Sequence, residues 1–255
     1  IDSAPSTSKI IDYSNRLISS KEFINVTLND SGYRRFNYKL YNCIVDIGKI
    51  GPIYQPGHSH ADTFNFELII KKNPFIVNYG ISTYENSKRR FIERSTFSHN
   101  TVSINNNNSS IIWDAFRVAN QAKVEILFES KNKIIATHNG YSNIGLKHKR
   151  IWEFYHNKII IYDYIKKTNP LYLINKNYLS VANFWLYKDL NPLYNDDTIS
   201  TKYGVIKFNG YNSVKLKNKT VPDGFNKYSN SYKIEVEFKK KLTSTIYFNE
   251  NLIFN

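Results

Sequence analysis

After Asn29-Asp30-Ser31-Gly32 the chain falls into an alternation of apolar and polar positions that persists almost to its end, the mark of half-buried β-strands. Cys43, Val45 and Ile47 share one face of the first such segment. Phe64, Phe66, Leu68 and Ile70 alternate with Asn65, Glu67, Ile69 and Lys71 in a second, and Lys72-Asn73-Pro74 is expected to turn it into a third, Phe75 to Tyr79. Hairpins are expected from 121–128 with 133–138 and from 149–155 with 158–165, and strands near 202–208, 213–217, 231–238 and 243–248. No stretch of 12 or more residues keeps an apolar 3.6 period, so the pattern predicts an all-β antiparallel β-sandwich or layered β-sheet domain with little helix. Residues 1–27 are polar and aperiodic and read as a linker or as the tail of a preceding domain, with the β-sheet domain over 28–255. Two long segments, 49–62 and 80–100, interrupt the alternation, and loops of that length in a compact β domain are usually functional.

Composition narrows the class. The 255 residues are 41% hydrophobic and include 20 Tyr, 16 Phe and 3 Trp, which excludes global disorder. No run approaches 18 apolar residues, so no membrane-spanning helix is expected. The lone Cys43 allows no internal disulfide and reads as a buried thiol rather than a nucleophile. Met is absent and the chain opens Ile1-Asp2-Ser3-Ala4-Pro5, so a processed product or a fragment of something longer is expected. The net charge of +14 is spread over hairpin ends and solvent faces, with no recognition helix, zinc-finger spacing or RNP-like motif. Nucleic acid is therefore not the expected partner, whereas an acidic polysaccharide suits such a surface as well as a merely solvated one does.

Three of the six histidines fall in the two long segments: His58 and His60 within Gly51–Asp62, and His99 within Arg94–Thr101. In extended chain, residues two apart lie about 6 to 7 Å from each other on one face. One imidazole can then bind a metal while its neighbour faces a substrate. A His-x-His with one distant His is a zinc signal, against which stand coincidental surface histidines.

GHSHADTFNFEL (57–68), PFIVNYGISTY (74–84), RRFIERSTFSHNTV (89–102), WDAFRV (113–118) and HNGY (138–141) follow one another in the order and spacing of the carboxy-terminal β domain of heparinase II/III-like polysaccharide lyases, which this chain resembles over about residues 28–165. Asn29–Tyr33 likewise resembles that domain's usual opening. The resemblance implies eliminative cleavage of a uronic-acid polysaccharide: a base removes the C5 proton, acidic because it is α to the carboxylate, and an acid protonates the departing glycosidic oxygen. It implies an amino-terminal helical toroid, missing here, that supplies a carboxylate-neutralising residue and a tyrosine, and it favours a periplasmic or secreted setting.

Carried over position by position, the resemblance makes His58 the catalytic residue and His60 and His99 ligands of zinc or another divalent cation. The middle ligand of the family is normally an aspartate; Asn78 stands there, 18 residues after His60, which implies a weakened site. Arg94 and Arg117 fall on recurrent family positions and are candidates to meet a substrate carboxylate or sulfate, with pairing to an acid such as Glu67 or Asp62 as the structural alternative. Asp62 could orient an imidazole, and Tyr84 and Trp113 could stack on sugar rings. His138, His148 and His156 receive no catalytic role. The rival reading is a non-catalytic carbohydrate-binding or structural β-sandwich.

Overall fold

A computed structural model of the chain describes residues 5–18, 29–168 and 178–249. Its body is two eight-stranded antiparallel sheets packed face to face, with a separate two-stranded hairpin. The first sheet runs, in spatial order, Tyr33–Asn37, Tyr41–Asp46, Phe66–Ile70, Asn73–Ile76, Ser180–Leu186, Tyr228–Phe238 and Ser213–Pro222, with Val102–Ile104 also pairing to Ser180–Leu186. The second runs Leu193–Asn195, Thr198–Ser200, Gly204–Asn209, Lys241–Phe248, Lys158–Lys167, Leu146–Phe154, Lys133–His138 and Val124–Ser130. The alternation is what builds the core between them, because every second side chain of each strand points to the facing sheet. Phe36 stacks on Phe154 with ring centroids 3.6 Å apart, Tyr41 meets Phe248 at 4.4 Å and Phe184 meets Phe208 at 5.6 Å. Cys43 is wholly buried in this core, which pushes its thiol well above the usual range.

The expected hairpins form, as Val124–Ser130 with Lys133–His138 and Leu146–Phe154 with Lys158–Lys167. Four details differ from the sequence expectation. The turn after Ile70 falls at Lys71 and Lys72, both at positive φ (47° and 67°), so the next strand begins at Asn73 and ends at Ile76. This left-handed pair matches the twist of a tight hairpin. The strand before it begins at Phe66; Phe64 is buried but sits at φ 70°, a strained value for a bulky residue. Ser180–Leu186, not anticipated, is buried along almost its whole length, so it lacks the alternation that reveals half-buried strands.

The fourth difference lies in residues 1–27. Thr7–Leu17 is a helix capped by Ser6, whose side chain accepts from the Lys9 amide. Ile10, Tyr13 and Leu17 recur at helical spacing but span only eight residues of an eleven-residue helix, too few for the period to stand out. None of its side chains is buried. Among the described residues no helix is long and apolar enough to cross a membrane.

Candidate functional site

The two long loops lie side by side. The second carries a short helix, Lys88–Arg94, whose inward residues are Arg90, Glu93 and Arg94 rather than apolar ones. Its Arg94 carbonyl accepts from the Ala61 amide at 2.9 Å, and the Thr96 hydroxyl donates to the Ala61 carbonyl at 2.7 Å. Farther along, the Thr101 hydroxyl donates to the Thr63 carbonyl at 2.7 Å. Asn100 ties three segments together: its backbone N–H donates to Asn65 Oδ1, its amide N–H groups to the carbonyls of Phe66 and Val77, and its Oδ1 accepts from the Trp185 amide. Two irregular segments thus become one rigid unit, as buried backbone polar groups require.

Within it the histidines of the first loop part company. The chain turns here instead of running extended, with the Ser59 amide donating to the Pro56 carbonyl at 3.1 Å. His58 is exposed, edge-on to Tyr84 at 5.6 Å and to Phe116 at 6.3 Å between ring centroids. His60 turns inward, and its Nδ1 lies 3.2 Å from Nε2 of the fully buried His99. Burial, then the nearby Arg90, Arg94 and His58, push His60 down to about 3; burial and His60 push His99 well below the usual range. Both are therefore neutral at pH 7.

His99 Nδ1 is 2.9 Å from Asn78 Oδ1. Since the amide oxygen can only accept, Nδ1 carries the proton and Nε2 presents a lone pair towards His60. Two imidazole nitrogens sharing a tetrahedral zinc at 2.0–2.1 Å would be about 3.3 Å apart, so His60 and His99 are spaced for one ion. Asn78 is not placed as the third ligand, because its oxygen holds the opposite nitrogen of the His99 ring. Among the described residues no three His, Cys, Asp or Glu side chains gather as a metal group. The residues present fall one short of the three protein ligands of a catalytic zinc.

Arg94 also departs from the expected role. Its guanidinium is fully buried and donates to the carbonyls of Ser59 (2.9 Å), Asp114 (2.7 Å) and Ala115 (2.5 Å), so it faces neither solvent nor the acids Glu67 and Asp62. The equally buried Arg90 donates to Ala115 O at 3.1 Å and Gly57 O at 3.4 Å and lies over the rings of Tyr84 and Phe116. The two arginines thus grip the carbonyls on either side of His58. Burial and the proximity of Arg90 lower Arg94 to about 10, still protonated at pH 7. Arg117 and Trp113 are exposed on the hairpin Ile111–Asp114/Arg117–Ala119, the guanidinium 5.8 Å from the indole. Tyr84 is half-buried beside His58. Asp62 does not orient an imidazole; burial and then Asp46 raise its carboxyl to about 8.

Sequence reasoning missed Arg90, Phe116, Asn100 and the pair Arg150–Asp163. Asp163 accepts from Arg150 Nε at 2.7 Å and Nη2 at 3.1 Å, and Arg150 Nη1 donates to the carbonyls of Phe64 (2.9 Å) and Asn100 (2.8 Å), the neighbours of the site. His148 Nε2–H donates to Asp163 at 2.6 Å, its Nδ1 accepts from His138 Nε2–H at 3.1 Å, and His138 Nδ1 accepts from the Gly140 amide. This chain is fully satisfied with both imidazoles neutral, and it is wholly buried. The signal was present: His148, Arg150 and Asp163 occupy apolar-face positions of their strands, where a charge must have a partner.

The profile of the heparinase II/III-like C-terminal domain matches residues 25–170, more than half of the chain. No curated protein matches. Among solved structures, the heparan sulfate lyase HepC of Pedobacter heparinus superposes with a TM-score of 0.67 at 18% identity, over 91% of this chain and 37% of that one. A heparinase III gene product superposes with a TM-score of 0.71 at 15% identity, over 98% of this chain and 42% of that one. The chain thus spans well under half the length of these proteins, and at such identities they share its fold. By its sequence profile, and with the β-sandwich that frames its paired loops, the chain belongs to the heparinase II/III-like family, of which it carries the C-terminal domain.

Proposed function

We propose that this chain is the β-sheet part of a polysaccharide lyase that cleaves uronic-acid polymers by β-elimination, with His58 as the proton-transferring side chain. The observation that carries the reading is the division of labour within one loop: His58 stands exposed beside Tyr84 and Phe116, while His60, two residues on, is turned inward and held neutral. In the reaction the C5 proton passes to a base, the C4–O bond breaks as a C4–C5 double bond forms, and the departing oxygen takes a proton. His58 is accessible for either transfer. Arg90 and Arg94 fix its backbone and bring two positive charges behind it, in a low-dielectric setting that favours a substrate carboxylate in front. Tyr84 and Phe116, their rings near parallel, offer faces to a sugar. An amino-terminal helical domain would complete the crevice with the group that neutralises the carboxylate and with a tyrosine. No step is routed through a metal, since the donor set stops at two imidazoles.

The test is formation of unsaturated uronate, followed by ultraviolet absorbance, with the full-length protein carrying this chain and a panel of uronic-acid polymers. His58→Ala is expected to abolish product without lowering the melting temperature; full activity of that variant would remove His58 from the mechanism. One observation favours the rival, a non-catalytic carbohydrate-binding domain: Asn78 holds His99 instead of completing a metal site. Binding of acidic oligosaccharide by the full-length protein with no product from any polymer would establish that rival.

A further inference from the structure

The hairpin Ile111–Asp114/Arg117–Ala119 has two ends with different surroundings. Its tip belongs to the site described above: Ala115 O takes both buried arginines, and Phe116 packs beside His58. Its base instead lines a groove of about 1270 Å³, to which it gives the apolar Ile111, Ile112 and Val118, and whose walls are rich in side-chain amides, six Asn and one Gln. Ile53, on the loop that leads to His58, lines the same groove. From Ile111 to Ala115 is four strand steps, about 13 Å, so one hairpin connects the two places.

The walls are of two kinds. Asn107, Asn108 and Asn139 are already engaged: Asn107 Nδ2 donates to the Ile104 carbonyl, Asn108 Oδ1 accepts from the Thr96 amide, and Asn139 Oδ1 accepts from the Lys123 amide. They fix the shape. Asn106, Asn120, Gln121 and Asn143 have no hydrogen-bond partner among the described residues, and each offers two N–H donors and a carbonyl acceptor. Asn106 and Asn120 sit in left-handed backbone at φ 58° and 44°, at turns that present their side chains. Two exposed ammonium groups, Lys49 and Lys123, have no ion-pair partner among the described residues, and no carboxylate lines the groove.

We infer that this groove is a second carbohydrate site, which holds a stretch of acidic oligosaccharide while the same chain lies across the hairpin at His58. The inference rests on the reading of the His58 site as a uronate-polymer site. Unpaired amides with both donors and an acceptor match vicinal hydroxyls, which likewise donate and accept, and the lysines supply the counter-charge for carboxylates or sulfates. A groove larger than the 300–1,000 Å³ of a small-molecule pocket suits several sugar units better than one metabolite. Nucleic acid fits less well, because no exposed aromatic ring lines the groove for base stacking.

The test is a calorimetric titration of the protein with heparin-derived oligosaccharides of increasing length. Three proteins are compared with the parent: a neutral triple variant Asn120→Ala, Gln121→Ala and Asn143→Ala; the double variant Lys49→Ala and Lys123→Ala; and a charge-matched control, Lys207→Ala and Lys239→Ala, at exposed positions outside the groove. The amide and groove-lysine variants are each expected to weaken binding of the longer oligosaccharides at least tenfold, leave the disaccharide unchanged and keep the parent's melting temperature. The control should change little. Unchanged affinity in the amide variant, or an equal loss in the control, would overturn the inference and leave a polyelectrolyte surface. The readout needs no turnover: a protein inactive on every polymer that still shows the amide-dependent length effect keeps the groove and loses the lyase reading. An active one without that effect keeps the lyase reading and loses the groove.

Discussion

Asp163→Asn tests whether the buried polar chain holds the site loops in place. Both partners of the Arg150–Asp163 pair are fully buried, and Asp163 accepts three hydrogen bonds, two from Arg150 and one from His148. Burial alone would push this carboxyl up, but Arg150 and then His148 overcome it and hold it at about 2, against an ordinary 3.8. The asparagine keeps the shape but turns one oxygen into an N–H donor facing the donors of Arg150 or His148, and it leaves the guanidinium charge buried without a counter-ion. Breaking a buried pair in this way costs about 3–5 kcal/mol. At about 2–4 °C per kcal/mol for a domain of this size, the melting temperature should drop by about 6–20 °C. Urea unfolding measures it: the midpoint should fall with the slope unchanged, and a loss below about 1 kcal/mol would refute the argument. The double variant Asp163→Leu/Arg150→Met separates the pair from the tether. Replacing an ion pair by apolar groups is often neutral, but here it also strips the Phe64 and Asn100 carbonyls of their donor, at about 1–3 kcal/mol each. A double variant as stable as the parent would show that Arg150 does not hold the loops.

The same carboxyl sets an acid limit. Because its folded pKa is depressed, its stabilisation is present above the unfolded value near 3.8 and is lost as pH falls through about 2, so Asp163→Asn should differ most from the parent at neutral pH and converge with it at the acid end of a pH series of unfolding midpoints. Arg94→Met should strip the Ser59 and Asp114 carbonyls of the guanidinium, leave Ala115 O to Arg90 alone, and lower kcat of the full-length protein with little change in KM, since the side chain has no surface to offer a substrate; a change confined to KM would refute the positioning role. Asn78→Asp should tighten zinc binding about 10–100-fold in competition with a chromogenic chelator, because a carboxylate on His99 Nδ1–H makes Nε2 more basic; unchanged affinity would show that His99 does not bind the ion.

Much of the fold was legible because half-buried strands write their faces into the sequence at period two: the alternation alone assigns Phe66, Leu68 and Ile70 to the core. The same logic hid Ser180–Leu186, covered on both sides, and the helix Lys88–Arg94, whose inward face is charged. Of the site, the sequence by itself singled out His58, His60, His99 and Asn78 and the two segments that carry them. Which way each side chain faces was settled by the tertiary structure. Tethers from Thr96, Asn100, Thr101 and Arg150 bring residues far apart in sequence into one rigid unit. A turn at Pro56–Ser59 sends His58 outward and lets His60 pass inward. Arg94 looks the same in the sequence whether it awaits a substrate or grips a carbonyl. Only the packing of the helix against the His58 loop, which buries the guanidinium among backbone acceptors, decided that it grips a carbonyl.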